Sequence, residues 1–251
     1  MEAEEGLARL RGLGFGDADA AALWAHFDDA ERRRKPSHGH ARIAWLETQE
    51  FDPRAEPELV EEADGFERWH GRGAVGYLVL GRVVARSLAR SPAHARVVVC
   101  ERTFPTGMLG HWVRRLADGG LVGAATATSP ARLAPPGGGP KLAGTNPLAI
   151  AIPSSGGDPV VVDVSMGAVT WGDVVAGTAT EEQLVPFGGE QAYKAFALAV
   201  GLQLLVDTLV RDPGYGAVLL VARPEADPVP ALRARAVGVR LPGDRRSPPA
   251  P

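Results

Sequence analysis

Four short apolar runs constrain this chain more than any other feature in it. LVGAATA (121–127), NPLAIAIP (146–153), DPVVVDVS (158–165) and GAVLLVARP (216–224) are built from strand-forming residues and are bounded by glycine or proline. They read as buried strands, and ARVVVC (95–100) as another. Between and before them the spacing is helical. Leu7, Leu10 and Leu13, then Ala21, Leu23, Trp24 and Phe27, predict one or two helices over 3–33; a helix follows Gly76, and another runs from Thr106 to a stop at Gly119. In QAYKAFALAVGLQLLVDTLV (191–210), Ala195, Phe196, Ala199, Leu202, Leu205, Val206 and Leu209 share one broad face, as a core-packed helix would. FDPRAEPELV (51–60) reads as a proline-punctuated loop, and the tail RRSPPAP (245–251) as frayed. Interleaved helices and strands give an α/β protein with a mixed sheet and flanking helices, although strand order is not legible.

A net charge of -3 over 251 residues gives no general polyanion-binding surface, so nucleic acid is not an expected partner. The single cysteine, Cys100, excludes a disulfide within the chain and suits a reducing compartment. The acidic N-terminus lacks the apolar centre of a secretory signal. No apolar run is expected to approach the roughly 20 residues that cross a bilayer. A cytoplasmic protein with no membrane partner is the resulting expectation.

Two motifs invite misreading. GRGAVG (71–76) matches GxGxxG, in which glycines bring a pyrophosphate to a helix N-terminus, but EADGFERWH before it does not read as an apolar strand, so a Rossmann site is not expected. KPSHGHAR (35–42) carries two histidines, but they are two residues apart with no cysteine or third histidine nearby, so a metal site is not expected either. The preceding RRRK (32–35) reads chiefly as a solvated helix end, where positive charge complements the helix dipole.

SHGHAR (37–42), SPARLAPPGG (129–138) running into GTNPLAIAIP (144–153), VVVDVSMGAVTWG (160–172) and PFGGEQAYKAFALA (186–199) resemble, in this order, the malate/L-lactate dehydrogenase family. This non-Rossmann group includes ureidoglycolate and sulfolactate dehydrogenases and reductases of cyclic imines. The resemblance implies that family's fold, with 1–118 and 214–251 forming a substrate-side and dimerisation region and 119–213 a nucleotide-binding region. It implies hydride transfer between NADPH or NADH and C2 of a 2-oxo acid or cyclic 2-imino acid, by a homodimer. His38 stands at the family's catalytic histidine. Arg42 suits a bidentate grip on a substrate carboxylate, and Ser37 a hydrogen bond to substrate or nicotinamide. Asp163, ending an apolar strand, would orient His38. Thr145 and Asn146 lie near the cofactor, Gly188 and Gly189 allow close backbone approach, and Lys194 is the candidate phosphate contact. His40 matches no catalytic position and reads as structural. Arg132 and Lys141 join Lys194 as candidates for a 2′-phosphate.

The chain also departs from the family. Pro36 stands where HSHG has its first histidine, and Pro105 where some members carry a second active-site histidine; His111 is six residues away. KG(Y/F)G becomes Lys194-Ala195-Phe196-Ala197, and the connection between TWG and PFGG is short. These departures motivate the rival reading, a catalytically inactive nucleotide-binding or assembly protein on the same fold. Histidine and arginine kept in register within SHGHAR argue for the enzyme.

Overall fold

The computed structural model describes residues 1–244, so the tail at 245–251 lies outside the described residues. Among the described residues, eight α-helices are α1 (Ala3–Gly12), α2 (Asp17–Arg32), α3 (Ala41–Leu46), α4 (Gly76–Ala89), α5 (Leu109–Asp118), α6 (Trp171–Val175), α7 (Ala192–Leu209) and α8 (Val229–Arg235). Seven strands are β1 (Glu58–Ala63), β2 (Phe66–His70), β3 (Ala95–Glu101), β4 (Val122–Ala127), β5 (Leu148–Ile152), β6 (Val160–Val164) and β7 (Ala217–Ala222). They form one sheet in the order β1-β2-β3-β7-β4-β5-β6. Only β2 and β3 pair in parallel; the other neighbours are antiparallel, so the sheet is mixed. β7, contributed from beyond residue 213, lies between β3 and β4 and joins the early and middle parts of the chain.

The main core lies between the sheet and α1 to α5, with Phe27, Tyr77, Leu80, Trp112 and Leu116 among its buried side chains. The α5 stop comes where the glycines predict it, with Gly120 at φ 81°. Leu121 N–H bonds Leu116 O and Gly120 N–H bonds Ala117 O, the paired bonds that close a Schellman end. On β4, Gly123 has no side chain because a Cβ there would meet Leu116 and Val113 of α5. A smaller cluster, Leu133, Ala143, Met166 and Ala199, forms against α7.

Four expectations change. The last residues of the proposed 51–60 loop begin β1. FERWH is a strand, so GRGAVG does sit in a β2-α4-β3 unit. Its glycines nevertheless serve the chain itself: a Cβ on Gly71 would meet Arg102 O at 2.2 Å, and one on Gly76 would meet Pro105 O at 2.6 Å. Backbone fills the space that a pyrophosphate would need. Gly189–Leu209 is long and apolar enough to cross a membrane by length and composition, contrary to the expected limit on apolar runs. Finally, α7 buries only Ala192, Ala195, Ala199 and Val206, leaving Leu198 50%, Leu204 59% and Leu205 46% exposed.

Candidate active site

The basic run closes α2. Arg32 and Arg33 reach back one turn to Asp28 and Asp29, at 2.5 and 2.8 Å. Arg34 then adopts a left-handed backbone, φ 58°, uncommon for a residue with a side chain. That bend, followed by a single 3-10 turn over Pro36–His38, carries Ser37 and His38 onto the wall of a cavity of about 560 Å³. Arg42, in the first turn of α3, lines the same cavity. Its Nε donates to Ser37 O at 2.8 Å, and its guanidinium lies 5.1 Å from the Trp45 ring centroid. Arg42 is buried and forms no ion pair among the described residues, so its charge faces the cavity unmatched by protein carboxylate.

β6 and the segment after it form the opposite part of the wall, with Asp163, Ser165, Gly167 and Thr170, and Thr145 stands beside them. The Asp163 carboxylate accepts a hydrogen bond from Lys35 Nζ at 3.0 Å. α6 is clamped against the 3-10 turn through Gly172, where a Cβ would meet Ser37 O at 2.5 Å and Arg42 Nη2 at 2.6 Å. Asp173 caps this helix: its Oδ2 accepts from Thr170 N–H at 2.7 Å and from Thr170 Oγ1 at 2.8 Å. Burial raises the Asp173 pKa, but bonds from the Thr170 amide and the Thr170 and Ser37 hydroxyls outweigh it and hold the carboxyl below its ordinary value.

His38 is half-buried, with Nδ1 sealed from solvent and without a partner. Desolvation, then the Arg42 charge, depress its pKa to about 4; Asp163 opposes this and Lys35 reinforces it. The imidazole is therefore neutral at pH 7. Behind the wall, His26 is completely buried, accepts from Met108 N–H at 3.1 Å and is also held neutral, first by desolvation and then by His111.

Ser37, His38, Arg42, Thr145 and Asp163 thus meet at one cavity. Asn146 does not line it. It is fully buried, and its Nδ2 donates to Ala199 O at 3.0 Å and Gln203 Oε1 at 2.9 Å, tying the GTNP loop to α7. Gly188 and Gly189, both at positive φ, form the turn after the wall residue Phe187. Lys194 points instead to Gln191, 2.6 Å away. His40 stacks on Trp24 with ring centroids 4.6 Å apart, and His111 bonds Asp29 at 2.9 Å. Pro105 is on the wall.

Residues that sequence reasoning left without a role in the site include Trp171 and Asp173, while Lys35 read chiefly as part of a solvated helix end. Asp173 had a signal, since T-W-G-D is a capping box opening a helix. Arg132 also lines the cavity, its guanidinium carbon 3.4 Å from the Trp171 ring centroid.

The family model for malate/L-lactate dehydrogenase matches residues 6–189. A Delta(1)-pyrroline-2-carboxylate reductase of Pseudomonas fluorescens is 31% identical over 230 residues, 79% of this chain and 67% of that protein. An NADP(+) (2R)-3-sulfolactate dehydrogenase of Chromohalobacter salexigens is 33% identical over 174 residues, 67% of this chain and 52% of that protein. The crystal structure of delta1-piperideine-2-carboxylate reductase from Pseudomonas syringae superposes with a TM-score of 0.81 at 25% identity, covering 97% of this chain and 89% of the other. The chain therefore spans between about half and two thirds of the two curated relatives' lengths.

Proposed function

The chain belongs to the malate/L-lactate dehydrogenase family of NAD(P)-dependent oxidoreductases, and we propose that it reduces a cyclic 2-imino acid at C2 with NADPH or NADH. The observation that carries this reading is the pairing, on one cavity wall, of an unmatched Arg42 guanidinium with a neutral His38. A planar guanidinium still free at its terminal nitrogens takes a carboxylate in two parallel bonds. Next to that carboxylate sits the C2 centre. A protonated imine arrives with its proton on nitrogen, so when hydride bonds to carbon the π pair falls to nitrogen and no proton need be donated. A neutral His38 accepts the N–H hydrogen bond and orients it, while the carboxylates of Asp163 and Asp173 favour the cation. A 2-oxo acid is the second reading. There the new alkoxide needs a proton, and His38 must first be protonated, which the substrate carboxylate assists by neutralising Arg42.

The cavity fits a nicotinamide ring. Trp45, Phe104 and Met108 supply apolar wall, while Thr145 and Ser165 supply polar groups. When bound, the reduced ring supplies the hydride. Thr145 would contact that ring, with Asn146 holding the Thr145 loop against α7. Past Phe187, the amides of Gly188 and Gly189 and the ammonium of Lys194 would meet a phosphate. In this reading residues 119–213 form the nucleotide side, and 1–118 with 214–251 the substrate side.

The reading includes a cytoplasmic homodimer. The exposed Leu198, Leu204 and Leu205 of α7 support a subunit interface, because a helix face this apolar is costly to leave in water. A Leu204→Glu, Leu205→Glu chain should sediment as a monomer where the parent is a dimer. The decisive activity experiment titrates the protein with NADPH and NADH, then follows reduced-nicotinamide absorbance as cyclic 2-imino acids and 2-oxo acids are added. Faster turnover of ketones than of imines would reverse the order of the two readings. Absence of cofactor binding would leave the inactive rival.

A further inference from the structure

A second cavity, of about 470 Å³, opens beyond Phe104, the one side chain among the described residues that lines both it and the active-site cavity. It lies where the parallel strands β2 and β3 end, at His70 and Glu101, the end of a parallel unit at which ligands are usually held. Phe51, Ala74, Val75, Phe104 and Tyr215 give it a largely apolar wall.

A row of aromatic rings connects this wall to the proposed substrate anchor. The Arg42 guanidinium lies 5.1 Å from the Trp45 ring centroid, Trp45 meets Phe104 edge to face at 6.5 Å, and Phe104 lies 5.0 Å from Tyr215. A carbon skeleton extending along this row from a carboxylate on Arg42 would pass Trp45, then Phe104, and reach Tyr215. Phe51 is held by stacking on Phe15, with centroids 5.1 Å apart.

The polar groups beside the cavity answer one another. Arg72 N–H donates to His70 Nδ1 at 2.9 Å, so the His70 proton is on Nε2, which donates to Asp212 Oδ2 at 2.9 Å. Arg102 donates to the other oxygen of Asp212 at 2.8 Å. With imidazole and guanidinium both bound to one carboxylate, nothing in this group calls for an anionic ligand. What remains for a ligand is the aromatic wall, where Tyr215 is 37% exposed.

We propose that the cavity beyond Phe104 is a subsite for an aromatic or other apolar ring of the substrate, so that the preferred substrate is a 2-oxo or 2-imino acid carrying such a ring remote from its carboxylate. Aromatic faces and edges take up a ring by offset stacking or edge contact as well as by burying its area. The proposal rests on the reading of Arg42 as the carboxylate anchor, and it makes Phe104 and Tyr215 determinants of specificity.

The test compares 2-oxobutanoate with 2-oxo-4-phenylbutanoate, which differ by one phenyl group. Steady-state kinetics with NADPH give KM for each acid. Calorimetric titration of the full chain with each acid, with and without NADP+, reads occupancy in the absence of turnover. The parent should favour the phenyl acid roughly tenfold or more, as expected for a ring moved out of water. Tyr215→Ala should reduce that ratio about fivefold or more, and Tyr215→Phe, which keeps the ring, should preserve it. Tyr215 is exposed, so folding should hold; matching circular dichroism and melting temperature confirm it. A parent that does not favour the phenyl acid, or a preference that Tyr215→Ala leaves intact, overturns the subsite. If neither acid is turned over but the phenyl acid still binds in preference and Tyr215→Ala abolishes that preference, the subsite stands and the dehydrogenase reading falls.

Discussion

Arg42 is fixed to the main chain of Ser37: its Nε donates to the Ser37 carbonyl at 2.8 Å, five residues back along the same loop and helix. That bond uses one guanidinium edge for position and leaves the terminal nitrogens for a ligand. Arg42→Lys keeps the charge but loses both the anchor and the fork. We expect KM for the acid substrate to rise roughly 10- to 100-fold, a change of about 1.4 to 2.7 kcal/mol, with NADPH affinity nearly unchanged. Steady-state kinetics alongside a cofactor titration separates the two quantities.

His38→Gln removes the titrating group and preserves hydrogen-bonding capacity. For a 2-oxo acid we expect kcat to fall about 10²- to 10⁴-fold, the usual worth of a positioned acid. For a protonated cyclic imine the fall should be much smaller, because no proton is donated. Equal losses on both substrates would contradict this division of labour.

Gly172 packs against the 3-10 turn and the start of α3, and a methyl there would overlap Ser37 O and Arg42 Nη2. Gly172→Ala should therefore cost about 1 to 3 kcal/mol of stability, the range of an overpacked site, and depress kcat/KM as well. Denaturant unfolding and kinetics on the same preparation would reveal whether the two effects travel together.

Asn146 holds the GTNP loop to α7 through two hydrogen bonds and has no place on the cavity wall. Asn146→Ala leaves Ala199 O and Gln203 Oε1 short of a donor, so we expect a loss of about 1 to 3 kcal/mol. The change should appear first as a lower urea midpoint, with NADPH affinity falling only as the loop loosens.

Acid should weaken the fold beginning well above the carboxylate range. His38 binds a proton at 6.5 when unfolded but only near 4 in the folded chain, and burial moves His26 in the same direction. Between these values the unfolded state binds more protons, so stability falls as pH falls from about 6.5 to about 4. Asp29 and Asp173, both depressed in the fold, add further losses in the acid range. Urea midpoints of parent and His38→Gln at pH 7 and pH 5 test the sign: the variant should lose less.

The apolar strands were legible because valine, isoleucine and alanine runs bounded by glycine or proline have few other uses in a globular chain. β2 was not legible, because it buries charge. Glu67 is fully buried yet accepts from Trp69 Nε1 at 3.0 Å and pairs with Arg86 and Arg96 at 3.1 Å each, so FERWH looks solvent-facing while lying inside the sheet. α7 misled in the opposite sense, since apolar periodicity reports a preference for burial without saying that the same chain supplies the cover. In the site, SHGHAR identified the wall bearing His38 and Arg42, but the sequence could not show that Lys35 would take Asp163. That pairing joins residues 128 positions apart and depends on the bend at Arg34.

The place of β7 has a consequence for biosynthesis. On the ribosome, β1 to β3 and β4 to β6 emerge as two groups of strands whose facing edges, β3 and β4, have no partner until residue 222 is available. A chain stopped before Ala217 would therefore expose two unpaired edges, each a template for pairing with another nascent copy. The demand for chaperone protection should be greatest just before residue 222 emerges, and stop codons introduced before β7 should yield aggregates where stops after it yield folded protein.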